Sequence, residues 1–101
     1  MNTYIDYELN DGNSVKLTLN LKKLLVLKSS NPEIYDSANR IIIRGVTDIF
    51  DLVSMLYAAY LCGLNNLEES PMSYDTFMGA IPQNIDKMIL TVDALISPKK
   101  K

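Results

Sequence analysis

Hydrophobic and polar positions alternate twice near the start of the chain. From Thr3 to Leu9, the residues Thr3, Ile5, Tyr7 and Leu9 share one face, and Tyr4, Asp6 and Glu8 share the other. From Ser14 to Leu21, Val15, Leu17, Leu19 and Leu21 form the apolar face. Two period-2 runs around "NDGN" predict a β-hairpin. A two-residue Asp11-Gly12 loop would set Leu9 opposite Ser14 and Tyr7 opposite Lys16, mixing apolar with polar positions. Cross-strand partners share a face, so that register is disfavoured. A three-residue loop, Asp11-Gly12-Asn13, pairs Leu9 with Val15, Tyr7 with Leu17 and Ile5 with Leu19. It requires a type I turn followed by a left-handed residue, a conformation Asn13 tolerates.

After Asn20 the period lengthens. In "NLKKLLVLKSS", Leu21, Leu24, Leu25 and Lys28 fall on one helical stripe behind an Asn20 cap. Val26 and Leu27 lie off that stripe, so an extended second strand competes over residues 21–28. Asn31-Pro32 then places a capping side chain before a proline at the first helical position, with Glu33 complementing the helix dipole. Ile34, Ala38, Ile41 and Ile42 line one face of this second helix, Ile43 breaks the stripe, and Gly45 stops it.

Thr47 and Asp48 open a third helix, "DIFDLVSMLYAAYLCGL" over residues 48–64. Ile49, Leu52, Val53, Leu56, Tyr60 and Leu61 form a wide apolar face. The reverse (Asp51, Met55, Ala58, Ala59, Cys62) is small or weakly polar after its first member. A helix apolar nearly all round is either a central core element or one that presents a face to a partner. "LNNLEESP" reads as an acidic loop, Ser73 caps a short helix through Tyr74, Phe77, Met78 and Ile81, and Pro82 breaks it. The last helix, Ile85 to Ile96, sets Ile85, Met88, Ile89, Val92, Leu95 and Ile96 against Asp86, Lys87, Thr91 and Asp93, with Leu90 off the stripe. The pattern predicts an α+β, mostly helical fold: an N-terminal β-hairpin within 3–21 packed on a bundle of about four to five helices within 21–96. Residues 1–97 form one globular domain and 98–101 a Lys-rich tail.

Composition removes several functions from this picture. At 101 residues, 48% hydrophobic and 22% charged, the chain is globular rather than disordered. A net charge of −2 argues against phosphate-backbone binding, so no nucleic-acid partner is expected. The apolar run 48–64 carries Asp48, Asp51 and Ser54 and is shorter than the roughly 20 apolar residues of a membrane span. Met1 to Leu9 holds Asp6 and Glu8 and lacks the apolar stretch of a signal peptide. The single cysteine, Cys62, reads as a small buried hydrophobe, and its isolation suits a cytosolic protein. Histidine is absent, which removes His-based nucleophile activation and zinc ligation. "DGN" at residues 11–13 lacks the other ligands of a calcium loop. No catalytic, cofactor-binding or metal site is expected. The group Met72, Tyr74, Phe77, Met78 and Met88 has two readings, core packing or an adaptable partner groove.

The succession "YIDYELNDGNSVKLTLNLKKLLVL", "NPEIYDSANRIIIRG", "DIFDLVSMLYAAYLC", "PMSYDTFMGAIPQNIDKMI" and a Lys-rich end resembles the tail assembly chaperones of long-tailed phages and prophages of Gram-positive bacteria. The resemblance covers almost the whole chain through diffuse hydrophobic patterns, most of all "LYAAYLC", the acidic loop and "PMSYDTF". It implies a non-enzymatic assembly factor of the host bacterial cytoplasm, absent from the mature virion. Such a protein binds the tape measure protein and helps recruit tail tube subunits. Members often have a longer frameshifted form, with which the terminal lysines are compatible, as they are with a plain solvated tail. An amphipathic helical partner needs adaptable apolar contacts, for which Met72, Tyr74, Phe77, Met78 and Leu90 are the candidate partner-binding residues. The alternative is a small regulatory or scaffold module acting as a homo-oligomer without chaperone activity.

Overall fold

The computed structural model describes residues 4–64 and 71–96. The start of the first predicted strand at Thr3, the acidic pair Glu68-Glu69 and the tail 98–101 lie outside the described residues. The fold is α+β and mostly helical. Strands β1 (Ile5–Glu8) and β2 (Ser14–Leu17) form an antiparallel hairpin, followed by helices α1 (Leu21–Ser30), α2 (Pro32–Arg44), α3 (Ile49–Cys62), α4 (Tyr74–Ala80) and α5 (Ile85–Ile96).

In the hairpin, Ile5 stands opposite Leu17 and Tyr7 opposite Val15. The expected pairing of Tyr7 with Leu17 is therefore displaced by two residues, which leaves every side chain on its predicted face. The cause is the loop. Leu9 N–H donates to the Asn13 carbonyl at 2.7 Å and Gly12 N–H to the Leu9 carbonyl at 3.1 Å. The three-residue loop is thus Asn10-Asp11-Gly12, with Gly12 at φ +90° in the left-handed position assigned in advance to Asn13. Glycine adopts that conformation without a Cβ penalty and wins the place. Asn13 is held instead by Asp11, whose Oδ1 accepts the Asn13 N–H at 3.0 Å.

Helix α3 is the axis of the core, with ten of its fourteen residues buried. β2, α1, α2, α4 and α5 all pack on it. Its small-residue side is as deeply buried as its bulky side, since Met55, Ala58 and Ala59 are wholly inaccessible whereas Ile49 at the start is 37% exposed. Those small residues let the chain leaving β2 approach the α3 backbone, where the Thr18 N–H donates to the Ala59 carbonyl at 3.2 Å. Gly63 follows in the same contact: a Cβ there would lie 2.9 Å from the Lys16 carbonyl carbon and overlap its oxygen.

Residues 21–28 are helical, not an extension of the second strand. Asn20 caps α1 by accepting the Lys23 N–H at 2.9 Å. The buried residue is Leu27, with Leu24 partly covered, while Leu21, Leu25 and Val26 are exposed. The stripe through Leu21, Leu24, Leu25 and Lys28 is therefore not the packed one, because apolar residues on both sides leave the period without a preferred face. Asn31 makes no side-chain cap for α2; its N–H instead closes α1 on the Leu27 carbonyl, so one residue serves as the joint between the two helices. Helix α2 buries Ala38 and Ile41 and ends at Gly45, φ +95°.

Helix α5 is rotated from its expected setting. Met88, Thr91, Val92 and Leu95 are buried, whereas Ile85 and Ile89 are about half exposed. Thr91 was expected on the polar side. Its hydroxyl donates to the Lys87 carbonyl at 2.8 Å, so its polarity is satisfied within the helix and it can enter the core. Asn10 in the hairpin loop clamps the end of α4. Its N–H donates to the Ala80 carbonyl at 2.8 Å, and its side-chain amide reaches the Gly79 and Ile81 carbonyls at 3.3 and 3.2 Å.

Candidate interaction surface

The candidate partner residues separate into two groups. Met72, Tyr74, Phe77 and Met78 all belong to the segment that docks α4 against α3. Phe77 is completely buried, stacked on Tyr60 (5.1 Å between centroids, 22°) and tilted against Tyr57 (5.4 Å). Phe77 is therefore a core residue in the folded domain, and no partner can touch it there. Its helix is too short to bury more than one large side chain fully, and the tyrosines of α3 provide the stacking surface that claims this one.

Met72 is fixed by its backbone: the Tyr57 hydroxyl donates to its carbonyl at 2.8 Å, and its N–H donates to the Tyr60 hydroxyl at 2.9 Å. Tyr74 lies edge-on to Tyr57 and exchanges a hydrogen bond with Ser54 at 3.3 Å. Met72, Tyr74 and Met78 are half-buried rims of this cluster, and Met88 is in the core. Burial, and secondarily the neighbouring Tyr60, pushes the Tyr57 hydroxyl above its ordinary pKa, so it stays a neutral donor.

Leu90 stands apart on α5 and is 71% exposed. Ile85 and Ile89, one turn apart on the same helix, are about half exposed on a neighbouring face, since successive residues stand about 100° apart. Asp86 and Asp93 are also exposed and fall between those two faces of the helix. A second exposed cluster, which the sequence did not single out, occupies the α2–α3 corner: Ile42, Ile43, Val46, Ile49 and Phe50. Ile43, off the α2 stripe, was its one advance signal; Phe50 gave none. A third comprises Leu21, Leu25 and Val26 on α1.

The α2–α3 corner is held rigidly from beneath. Asp48 caps α3 by accepting the Asp51 N–H at 3.0 Å. The Asp51 carboxylate accepts the Thr47 N–H and hydroxyl at 2.8 and 2.7 Å, and Arg40 donates to its other oxygen at 3.2 Å. The Thr47 backbone bond first, then the Thr47 hydroxyl, outweigh the opposing effect of burial and with Arg40 lower the Asp51 pKa to about 2. A carboxyl whose pKa is lower in the folded than in the unfolded chain stabilises above its unfolded value and loses that contribution as pH falls through the folded one. Asp51→Asn is expected to cost about 2 kcal/mol at pH 7, a gap that closes between roughly pH 5 and pH 2. Urea unfolding of both proteins across that range checks it.

A cavity of about 570 Å³ opens between α1 and the end of α3, lined by Asn20, Lys23, Leu27, Ser30, Leu61 and Cys62 among others, with no carboxylate among the described residues of its wall. Burial pushes the Cys62 thiol up to about 11, so it is held protonated despite the nearby Lys23. Among the described residues, no three His, Cys, Asp or Glu side chains are grouped to hold a metal ion. No described helix is long and apolar enough to cross a membrane. Comparison with known proteins finds no matching family model, no matching curated protein and no matching solved structure.

Proposed function

We propose that this chain is a non-enzymatic binding protein of the tail assembly chaperone kind, which covers apolar helices of the tape measure protein in the host cytoplasm and helps recruit tail tube subunits. The observation that supports this reading best is the outer face of α5. Ile85, Ile89 and Leu90 are left uncovered by the fold, and Asp86 and Asp93 lie between Leu90 and the other two. Such a mixed face complements a helix that carries lysine or arginine among its apolar residues. The apolar contact supplies affinity, and the aspartates set register and exclude acidic partners. The proposed contact set is therefore Leu90 with its neighbours Ile85 and Ile89, and the half-buried Met72, Tyr74 and Met78 serve as rim contacts.

The test is co-expression with a helical segment of the tape measure protein from the same phage. The wild-type chain should keep the segment soluble. Ile89→Asp combined with Leu90→Asp should weaken the complex by at least about tenfold, because each lost apolar contact is worth on the order of 1.5 kcal/mol. Both positions are exposed, so the circular dichroism spectrum and melting temperature should stay close to wild type. A double variant that protects the segment as well as wild type would remove α5 as the site. A wild-type chain that protects nothing would remove the chaperone reading altogether.

A further inference from the structure

We propose that the α2–α3 corner is a self-association face through which two copies of this chain form a weak two-fold dimer. Ile42, Ile43, Val46, Ile49 and Phe50 lie within nine consecutive positions and are 37–71% exposed. Together they leave on the order of 400 Å² of apolar surface in water, within the range of the largest patch on a soluble domain, which is often functional. Two such patches face to face cover about 800 Å², and the flanking polar residues bring the contact near 1,000 Å². That places the dimer in the weak, concentration-dependent class.

Charge selects the occupant. The corner carries both signs: Arg44 and Asp48 bracket Val46, both are exposed, and Arg44 makes no ion pair among the described residues. In a two-fold contact, residue i of one copy meets residue j of the other and the reverse. Arg44 of each copy can therefore face Asp48 of its mate. The other two exposed apolar clusters lack this property. Leu21, Leu25 and Val26 sit among Lys22, Lys23 and Lys28, and the exposed apolar residues of α5 sit around Asp86 and Asp93, so a two-fold pairing of either would oppose like charges. The corner is also preorganised, since Asp51 ties Thr47 and Arg40 together beneath it and little freedom is lost on docking. This inference stands independently of the chaperone reading, which rests on α5.

Sedimentation velocity from about 5 to 500 μM brackets the affinity expected of so small a contact. The mean mass should rise from 11.4 kDa toward twice that value. Phe50→Asp should keep the chain monomeric throughout, with an unchanged melting curve. Arg44→Glu and Asp48→Lys should each weaken self-association about tenfold at low salt. A mixture of those two variants should recover it, because the mixed pair brings opposite charges together at both positions. Asp48→Lys also removes the α3 cap, so Phe50→Asp carries the test if that variant does not fold. A wild-type chain that stays monomeric at 500 μM, a Phe50→Asp variant that dimerises as wild type does, or cross-links placing a tape measure helix on this corner would overturn the proposal.

Discussion

Phe77→Ala is expected to lower the unfolding free energy by about 4 kcal/mol, measured by urea denaturation at pH 7. Phe77 has no solvent exposure, and its ring contacts both Tyr57 and Tyr60. Removing it opens a ring-sized hole between α4 and the central helix, and the flat tyrosine faces cannot collapse to fill it. Aromatic pairing worth about 1 kcal/mol beyond area burial is lost at the same time. Because Phe77 is the only residue of α4 that is fully buried, the short helix then has little else to hold it. Phe77→Leu, which keeps most of the volume, should cost about half as much. A loss under about 1 kcal/mol for the alanine variant would show that α4 is not docked on α3 as described.

Gly63→Ala should be nearly as damaging, at about 3 kcal/mol, although it adds only a methyl group. The new carbon would meet the backbone of Lys16, which cannot rotate aside as a side chain would. Relief requires separating β2 from the end of α3, which stretches the bond from the Thr18 N–H to the Ala59 carbonyl. Gly79 supplies a control of opposite sign. It lies in α4, is exposed, and a Cβ there meets nothing within 4 Å. Gly79→Ala should stabilise by about 0.5–1 kcal/mol through helix propensity and a less flexible unfolded chain. Equal effects at the two glycines would refute the close approach at Gly63.

The contrast between these positions shows what the residue pattern discloses. The faces of the hairpin, the caps at Asn20, Asp48 and Ser73, and the stops at Gly45 and Gly63 were readable because each depends on chemistry within a few residues. The loop register slipped because "NDGN" offers two residues that tolerate the left-handed region, and only the ladder shows which one takes it. The packed faces of α1 and α5 were misplaced because a period fixes the spacing of apolar residues, not the direction of the core. Thr91 buries its methyl after satisfying its own hydroxyl, and Leu21 remains outside. The Met and aromatic group was ambiguous for a related reason. Phe77 and Leu90 look alike in a sequence, yet one fills the core and the other stands in solvent. The uncovered corner around Phe50 could be found only once the neighbours of α2 and α3 were known.

The clamp from Asn10 to the end of α4 also governs the order in which this chain can fold during synthesis. Its amide reaches Ile81, 71 positions further on. At about 5–20 residues per second, the hairpin waits roughly 4–14 s on the ribosome before that partner exists. A lone two-stranded hairpin is marginal in water, so Tyr7 and Leu17 have no stable cover until α3 emerges to pack on β2. The hairpin precedes its clamp, which closes only once α4 exists. Closure of the clamp reports that α4 is in place, which makes exchange protection of the Asn10 amide, bonded to the Ala80 carbonyl, its direct readout.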